Sequence, residues 1–91
     1  MLRISKKAEY GLLAMQHIAH KNGATASAKE IAETCSIPYE LAAKSLSILC
    51  RKGFLESFYG VQGGYKLAKP AYKISLAELL TALDGAIGLV D

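Results

Sequence analysis

The sequence predicts a mainly α-helical domain that carries one small β-hairpin. Three features of its 91 residues lead there. Ser27-Ala-Lys-Glu30 and Ser75-Leu-Ala-Glu78 have the form of capping boxes, in which a serine hydroxyl and a glutamate three residues later satisfy free N–H groups at a helix start. Apolar residues recur at three- and four-residue spacing before Gly53. The period then drops to two on either side of a glycine-rich stretch, Gly60-Val-Gln-Gly-Gly64.

The first helix is expected from about Ser5 to Lys21. Ala8, Leu12, Met15 and Ile18 or Ala19 share one face, and Lys6, Lys7, Glu9 and Gln16 fall elsewhere. Gly11 costs that helix about 1 kcal/mol against alanine, which points to a close approach by another element. Asn22-Gly23 ends it. The Ser27 box opens a short helix from Ala28 to about Cys35, with Ile31, Ala32 and Cys35 as its apolar face. There the Glu30 carboxylate is expected to reach back to the Ser27 N–H. After a tight break at Ser36-Ile37, Pro38 suits the first position of a longer helix, because its missing N–H has no intrahelical partner to lose. That helix runs to Lys52 and stops in a left-handed cap at Gly53. Its inward face is expected to be Leu41, Ala42, Ser45, Leu46 and Leu49.

Phe54, Leu55 and Phe58 mark one strand; Tyr65 and Leu67 mark a second, and Lys69-Pro70 closes it. Tyr59 to Gly64 makes a six-residue connection, longer than a tight hairpin turn, that projects from the sheet. The Ser75 box then opens a helix over about 75–84, with Leu76, Leu79, Leu80 and Leu83, that ends at Asp84-Gly85. Residues 1–91 suffice for a single domain. A chain of this size buries roughly 60 to 65% of its unfolded surface, so its core is thin.

The glycine stretch raises the question of phosphate binding. A P-loop needs G-x-x-x-x-G-K-[ST] between a strand and a helix, and a dinucleotide fingerprint needs G-x-G-x-x-G opening a helix. Here a strand follows, so no helix N-terminus aims its amides at a nucleotide. The glycines instead allow positive φ at a loop tip and remove side chains where backbone approaches another surface. Lys66, Lys69 and Lys73 are expected to line the base of that loop. A short helix, a turn and a long helix, followed at once by a hairpin with a glycine tip over about 54–69, make a winged helix-turn-helix. Its long helix, about 38–52, enters the major groove of double-stranded DNA, and the wing lies on the adjacent backbone or minor groove.

The reading residues follow from that geometry. Glu40, Lys44, Ser47 and Arg51, spaced by four, three and four, form an outward polar stripe. Tyr39, Glu40, Ala43 and Lys44, near the helix start, are the expected base contacts. Lysine donates to guanine, glutamate accepts from the cytosine amino group, and an alanine methyl packs on thymine. Ser47 and Arg51 are expected on phosphates, as are Lys6 and Lys7 at the first helix start, aided by free N–H groups there. In the wing the expected contacts are Tyr59, Gly60, Gln62, Gly63, Gly64 and Lys66. The competing reading of Glu40 and Lys44 is a solvent-facing i,i+4 ion pair, and that of Lys6 and Lys7 is ordinary surface charge.

The charge balance agrees with a polyanion partner. The formal net charge is +3, all eleven bases lie at or before Lys73, and only acids follow. No signal-peptide hydrophobic region opens the chain and no apolar run reaches membrane-spanning length, so a cytoplasmic location without membrane association is expected. Cys35 and Cys50, fifteen positions apart, are expected as buried structural thiols and not as a disulfide. His17 and His20 share a helix face without an evident third ligand, so no metal site is expected. No nucleophile–base pair or carboxylate pair with a cleft marks an enzyme.

With these segments in order, the chain resembles the Rrf2 family of bacterial winged-helix regulators. The resemblance is carried by ISKKAEYGLLAM, AKEIAETCSIPYELAAKSLSILCRKGFLES, YGVQGGYKLAKP and ISLAELLTALDG, and covers essentially the whole chain. It implies a homodimeric transcription factor, usually a repressor, on a near-palindromic operator. It also implies, in many members, an iron–sulfur cluster on three cysteines just after a segment similar to Asp84–Asp91, followed by a long dimerisation helix. Neither lies within residues 1–91, so a cluster is expected only if a cysteine-bearing tail follows, and none within the 91 residues. The family's wing often reads R-G-x-G-G-G-Y. Tyr59 stands here in place of that arginine and Gln62 in place of one glycine, so arginine insertion into a narrow minor groove is not available from that position. A second reading, from another class, is a winged helix used for protein–protein interaction, with Leu76, Leu79, Leu80, Leu83 and Leu89 partly on an interface.

Overall fold

Serine hydroxyls begin three of the four helices. Ser5 Oγ accepts the Ala8 N–H at 3.1 Å, Ser27 Oγ accepts the Glu30 N–H at 3.0 Å, and Ser75 Oγ accepts the Glu78 N–H at 3.2 Å. The first of these caps was not foreseen. The computed structural model describes residues 4–84. Its helices are α1 (Lys6–Ala19), α2 (Ala28–Cys35), α3 (Tyr39–Arg51) and α4 (Leu76–Asp84), and its strands β1 (Leu55–Phe58) and β2 (Gly64–Leu67), with a 3₁₀ turn at Ala71–Lys73. The expected end of the last helix at Gly85, and Leu89, lie outside the described residues.

The second half of the Ser27 capping box does not form. Instead of returning to the Ser27 N–H, the Glu30 carboxylate accepts from Lys21 Nζ at 2.8 Å and meets His17 Nε2 at 2.7 Å. Two charged or polar donors on the neighbouring helix and loop outbid one backbone amide. The α2–α3 turn follows the sequence reading more closely. Ser36 takes a left-handed φ of 56°, the Ile37 N–H bonds back to the Ala32 carbonyl at 2.9 Å, and the Ile37 side chain is buried.

The core lies between α1, α3 and α4, with α2 closing one side. Met15 and Ile18, Ile31, Ala42, Leu46 and Leu49, and Leu79, Leu80 and Leu83 are all buried. Leu41, expected inward, is 41% exposed. It sits one residue, about 100°, round the helix from Ala42 and just beyond the buried arc. Gly11 explains itself: an added Cβ would stand 2.5 Å from Leu83 Cδ1, so the missing side chain is what lets α4 lie against α1.

The hairpin is antiparallel, with Leu55 opposite Leu67 and Phe58 opposite Gly64. Because Gly64 is already paired, the connection is Tyr59–Gly63, five residues and not six. Its other edge is not free. The Ala26 N–H donates to the Tyr65 carbonyl at 3.1 Å, and the Tyr65 N–H donates to the Ala26 carbonyl at 2.8 Å. This isolated bridge from the α1–α2 segment makes a third, one-residue strand that the alternation pattern did not reveal. Gly64 is what permits it, with φ +144° and a virtual Cβ 2.7 Å from the Ala26 carbonyl oxygen.

Gly64→Ala is therefore expected to cost about 1–3 kcal/mol by strained backbone and clash, read as a lowered urea midpoint. An unchanged midpoint would mean that the bridge is not needed for stability. The Glu30 cluster has a pH signature. Hydrogen bonds from Lys21 and then His17 hold its carboxyl below the ordinary value of 4.5, against a smaller opposing effect of burial. A depressed folded-state value gives stability that is present above 4.5 and lost as pH falls through the folded value. With 32% of the side chain exposed, screening keeps this below about 1 kcal/mol. Glu30→Gln should melt below the wild type at neutral pH, and the two should converge in acid; a gap that persists in acid would assign the loss to packing.

Candidate nucleic-acid interface

α3 has two opposed faces. Ala42, Ser45, Leu46 and Leu49 are buried, and Glu40, Lys44, Ser47 and Arg51 are all exposed on the far side. Tyr39 is more than half exposed at the helix start, and Ala43 is half-buried beside it. All six residues expected on the reading face therefore belong to one accessible surface. Among the described residues no ion pair joins Glu40 to Lys44, which leaves the lysine ammonium and the carboxylate each free to meet a partner.

The wing tip is a fixed turn. The Gly63 N–H bonds to the Gly60 carbonyl at 3.0 Å, Gly60 has φ +106°, and Tyr59 and Val61 stand almost fully in solvent. Gly63 has no room for a side chain, since a Cβ would lie 2.5 Å from the Phe58 carbonyl oxygen. Thr25 Oγ1 donates to the Gln62 carbonyl at 2.8 Å and ties the tip to the α1–α2 segment. The loop glycines thus serve close packing of the chain on itself as well as a turn. Of the three lysines expected at the loop base, Lys66 alone flanks the tip; it is half-buried, with its ammonium 5.1 Å from the centre of the Phe58 ring. Lys69 lies at the other end of the hairpin over Phe54, and Lys73 is in the 3₁₀ turn.

At the start of α1, Lys6 and Lys7 are exposed, and Lys6 bonds Glu9 at 3.2 Å, a solvent pair of little energy. The helix N-terminus is less open to phosphate than expected. Asp84 Oδ1 accepts from the Ser5 hydroxyl at 2.6 Å and Oδ2 accepts from the Ser5 N–H at 3.4 Å. A carboxylate of α4 already stands there.

Between α3 and the wing runs a cleft of about 590 Å³, reached by Ser47 and Cys50 from α3 and by Ser57, Tyr59 and Tyr65 from the hairpin. Thr25, Ser57 and Tyr65 are the residues of this region that sequence reasoning missed. Ser57 and Tyr65 sit in strand positions that alternation alone reads as packing, and the pairing of Thr25 depends on a contact across 37 residues.

The residues present do not fit an iron–sulfur cluster, which takes cysteine thiolates as ligands. Cys35 and Cys50 are free, and burial raises both thiols above their ordinary range. Among the described residues no three His, Cys, Asp or Glu side chains converge on a metal position. His17 is engaged with Glu30, and His20 is exposed. Also among the described residues, no helix is long and apolar enough to cross a membrane.

Helix, turn, helix and a paired wing define the winged helix-turn-helix class of DNA-reading folds. The chain belongs to the Rrf2 family: the family model, described as an iron-dependent transcriptional regulator, matches residues 4–91. CymR of Bacillus subtilis, named an HTH-type transcriptional regulator, is 32% identical over 91 residues, covering 99% of this chain and 66% of that protein. The solved structure of B. subtilis CymR, titled the global cysteine regulator, superposes with a TM-score of 0.92 at 34% identity, covering all of this chain and 71% of that one. That of T. potens IscR gives 0.84 at 32% identity, covering 92% and 62%. A protein of Mycobacterium tuberculosis is 33% identical over 90 residues, which make up 98% of this chain but 56% of that relative's length. The chain thus spans little more than half of some relatives.

Raised thiol values predict slow alkylation. Cys35 and Cys50 in the folded protein should react with iodoacetamide at neutral pH several-fold more slowly than a free cysteine, and at the free rate in denaturant. A folded-state rate above that of free cysteine would assign one of them a reactive role.

Proposed function

We propose that these residues are the DNA-reading part of a transcriptional regulator, acting in the cytoplasm as a homodimer and a repressor on a near-palindromic operator. The observation that carries this is the unpaired, exposed stripe of α3, set opposite its buried stripe and beside a wing tied to the α1–α2 segment at its tip and along β2. Tyr39, Glu40, Ala43 and Lys44 meet base edges in the major groove. Ser47, Arg51, Lys6 and Lys7 meet phosphates. Tyr59, Gly60, Gln62, Gly63, Gly64 and Lys66 meet the adjacent backbone or minor groove. Membership of a family of regulators supports the DNA partner. An iron–sulfur or redox signal, consistent with that family's description, would be received by residues outside those described.

The interaction-module reading would need another surface than the leucine set it was placed on. Leu79, Leu80 and Leu83, expected partly on an interface, are buried within this chain, and of that leucine set Leu76 is the exposed one among the described residues.

The test is binding to duplexes selected from a random-sequence library, measured across salt concentrations. Affinity should fall steeply with salt, because lysine and arginine release counterions from phosphates. Lys44→Ala should cost about 1–3 kcal/mol and relax the preference at one base position per half-site. Lys66→Ala should weaken binding to all sequences alike and reduce the salt slope by about one. A sequence-blind loss at both positions would remove α3 as the recognition helix.

A further inference from the structure

The cleft between α3 and the wing has a lining of unusual chemistry. Ser27, Ser47, Ser57, Tyr59 and Tyr65 bring five hydroxyls to it, Cys50 adds a thiol, and no lysine, arginine or acid lines it. Four of those hydroxyls, on Ser47, Ser57, Tyr59 and Tyr65, make no hydrogen bond among the described residues. The fifth, Ser27 Oγ, accepts from Glu30 and keeps its own proton to give. Among the described residues these are donors with no protein acceptor, grouped on facing walls.

What passes between the walls follows from the elements that form them. The inference rests on the reading of α3 in the major groove and the wing on the neighbouring minor groove. Two adjacent grooves of a duplex are separated by one sugar–phosphate strand, so that strand must run between the two elements. The space between them is this cleft.

We propose that the cleft is a seat for one DNA strand, whose phosphates are held by the neutral hydroxyls of Ser47, Ser57, Tyr59 and Tyr65. Serine and tyrosine hydroxyls are ordinary phosphate donors, and a bond to a charged acceptor is stronger than one between neutral groups. Burial and the nearby Cys50, Tyr39 and Tyr59 raise the Tyr65 phenol above its usual value, so it keeps its proton and remains a donor. The interface therefore has two parts with different physics. Lys44, Arg51 and the flanking lysines displace counterions; the cleft supplies hydrogen bonds that displace none.

Salt titration separates the two. Ser57→Ala and Tyr65→Phe are each expected to lower affinity roughly ten- to a hundredfold, the size of one lost hydrogen bond to a charged acceptor, on a library-selected duplex and on a random duplex alike. The slope of log affinity against log salt should stay at the wild-type value, whereas Lys66→Ala should reduce it by about one. Ser57 is exposed on β1 and phenylalanine keeps the Tyr65 ring, so both variants should melt as the wild type does. Wild-type affinity in both variants, a changed salt slope, or a loss confined to the selected duplex would each overturn the seat while leaving DNA binding in place. Absence of salt-dependent binding by the wild type would overturn the DNA reading and the seat with it.

Discussion

One helix has to be core and exposed polar surface at once. α3 turns Ala42, Leu46 and Leu49 into the interior and leaves Glu40, Lys44, Ser47 and Arg51 outside. In a domain this small no second layer could hold α3 in place, so the same burial that stabilises the fold also sets the angle of its exposed face. The hairpin takes its position from that helix too. The Phe54 N–H bonds to the Leu49 carbonyl at 2.9 Å, and the Ala68 N–H bonds to the Phe54 carbonyl at 2.9 Å, so β1 begins and β2 finishes beside the end of α3.

The wing would be a weak element if it had only its two strands. An isolated two-stranded hairpin is marginal in water. Here Ala26 pairs with Tyr65, and Thr25 holds the Gln62 carbonyl, so the distal part of the hairpin is attached to the α1–α2 segment. Gly64 allows backbone to approach backbone at the Ala26 contact, and Gly63 does so within the wing turn against Phe58 and Gly60. The result is a tip whose turn is formed before any partner arrives, which lowers the ordering cost of binding.

Charge is distributed differently from what a lysine count suggests. Lys66 and Lys69 lie against aromatic rings, Lys6 against Glu9, and Lys21 against Glu30. Of the described cations outside these contacts, Lys44, Arg51 and Lys52 lie on α3 or at its end while Lys7, Lys29 and Lys73 lie elsewhere, and the cleft beside α3 is neutral but rich in donors. On the proposed DNA-reading role, a surface of this kind would place phosphates by direction as well as by attraction.

Local chemistry determined what could be read without a structure. Serine at the starts of α2 and α4, glycine after α3 and the switch of period from 3.6 to two act within a few residues, so they located those helices, the turn and the hairpin. The outward stripe of α3 was legible for the same reason, because helical spacing alone places it opposite the buried arc. What tertiary structure decided were the competitions between a near partner and a distant one. Glu30 left its own cap for Lys21 and His17, and Asp84 took the start of α1. Ala26 became a strand only because Tyr65 offered an unpaired edge. Leu41, at the margin of an otherwise correct face, was left outside because no neighbouring element reaches round to cover it. Such outcomes depend on which groups three-dimensional packing brings within 3 Å or so, a distance at which hydrogen bonds form and which spacing along a chain does not encode.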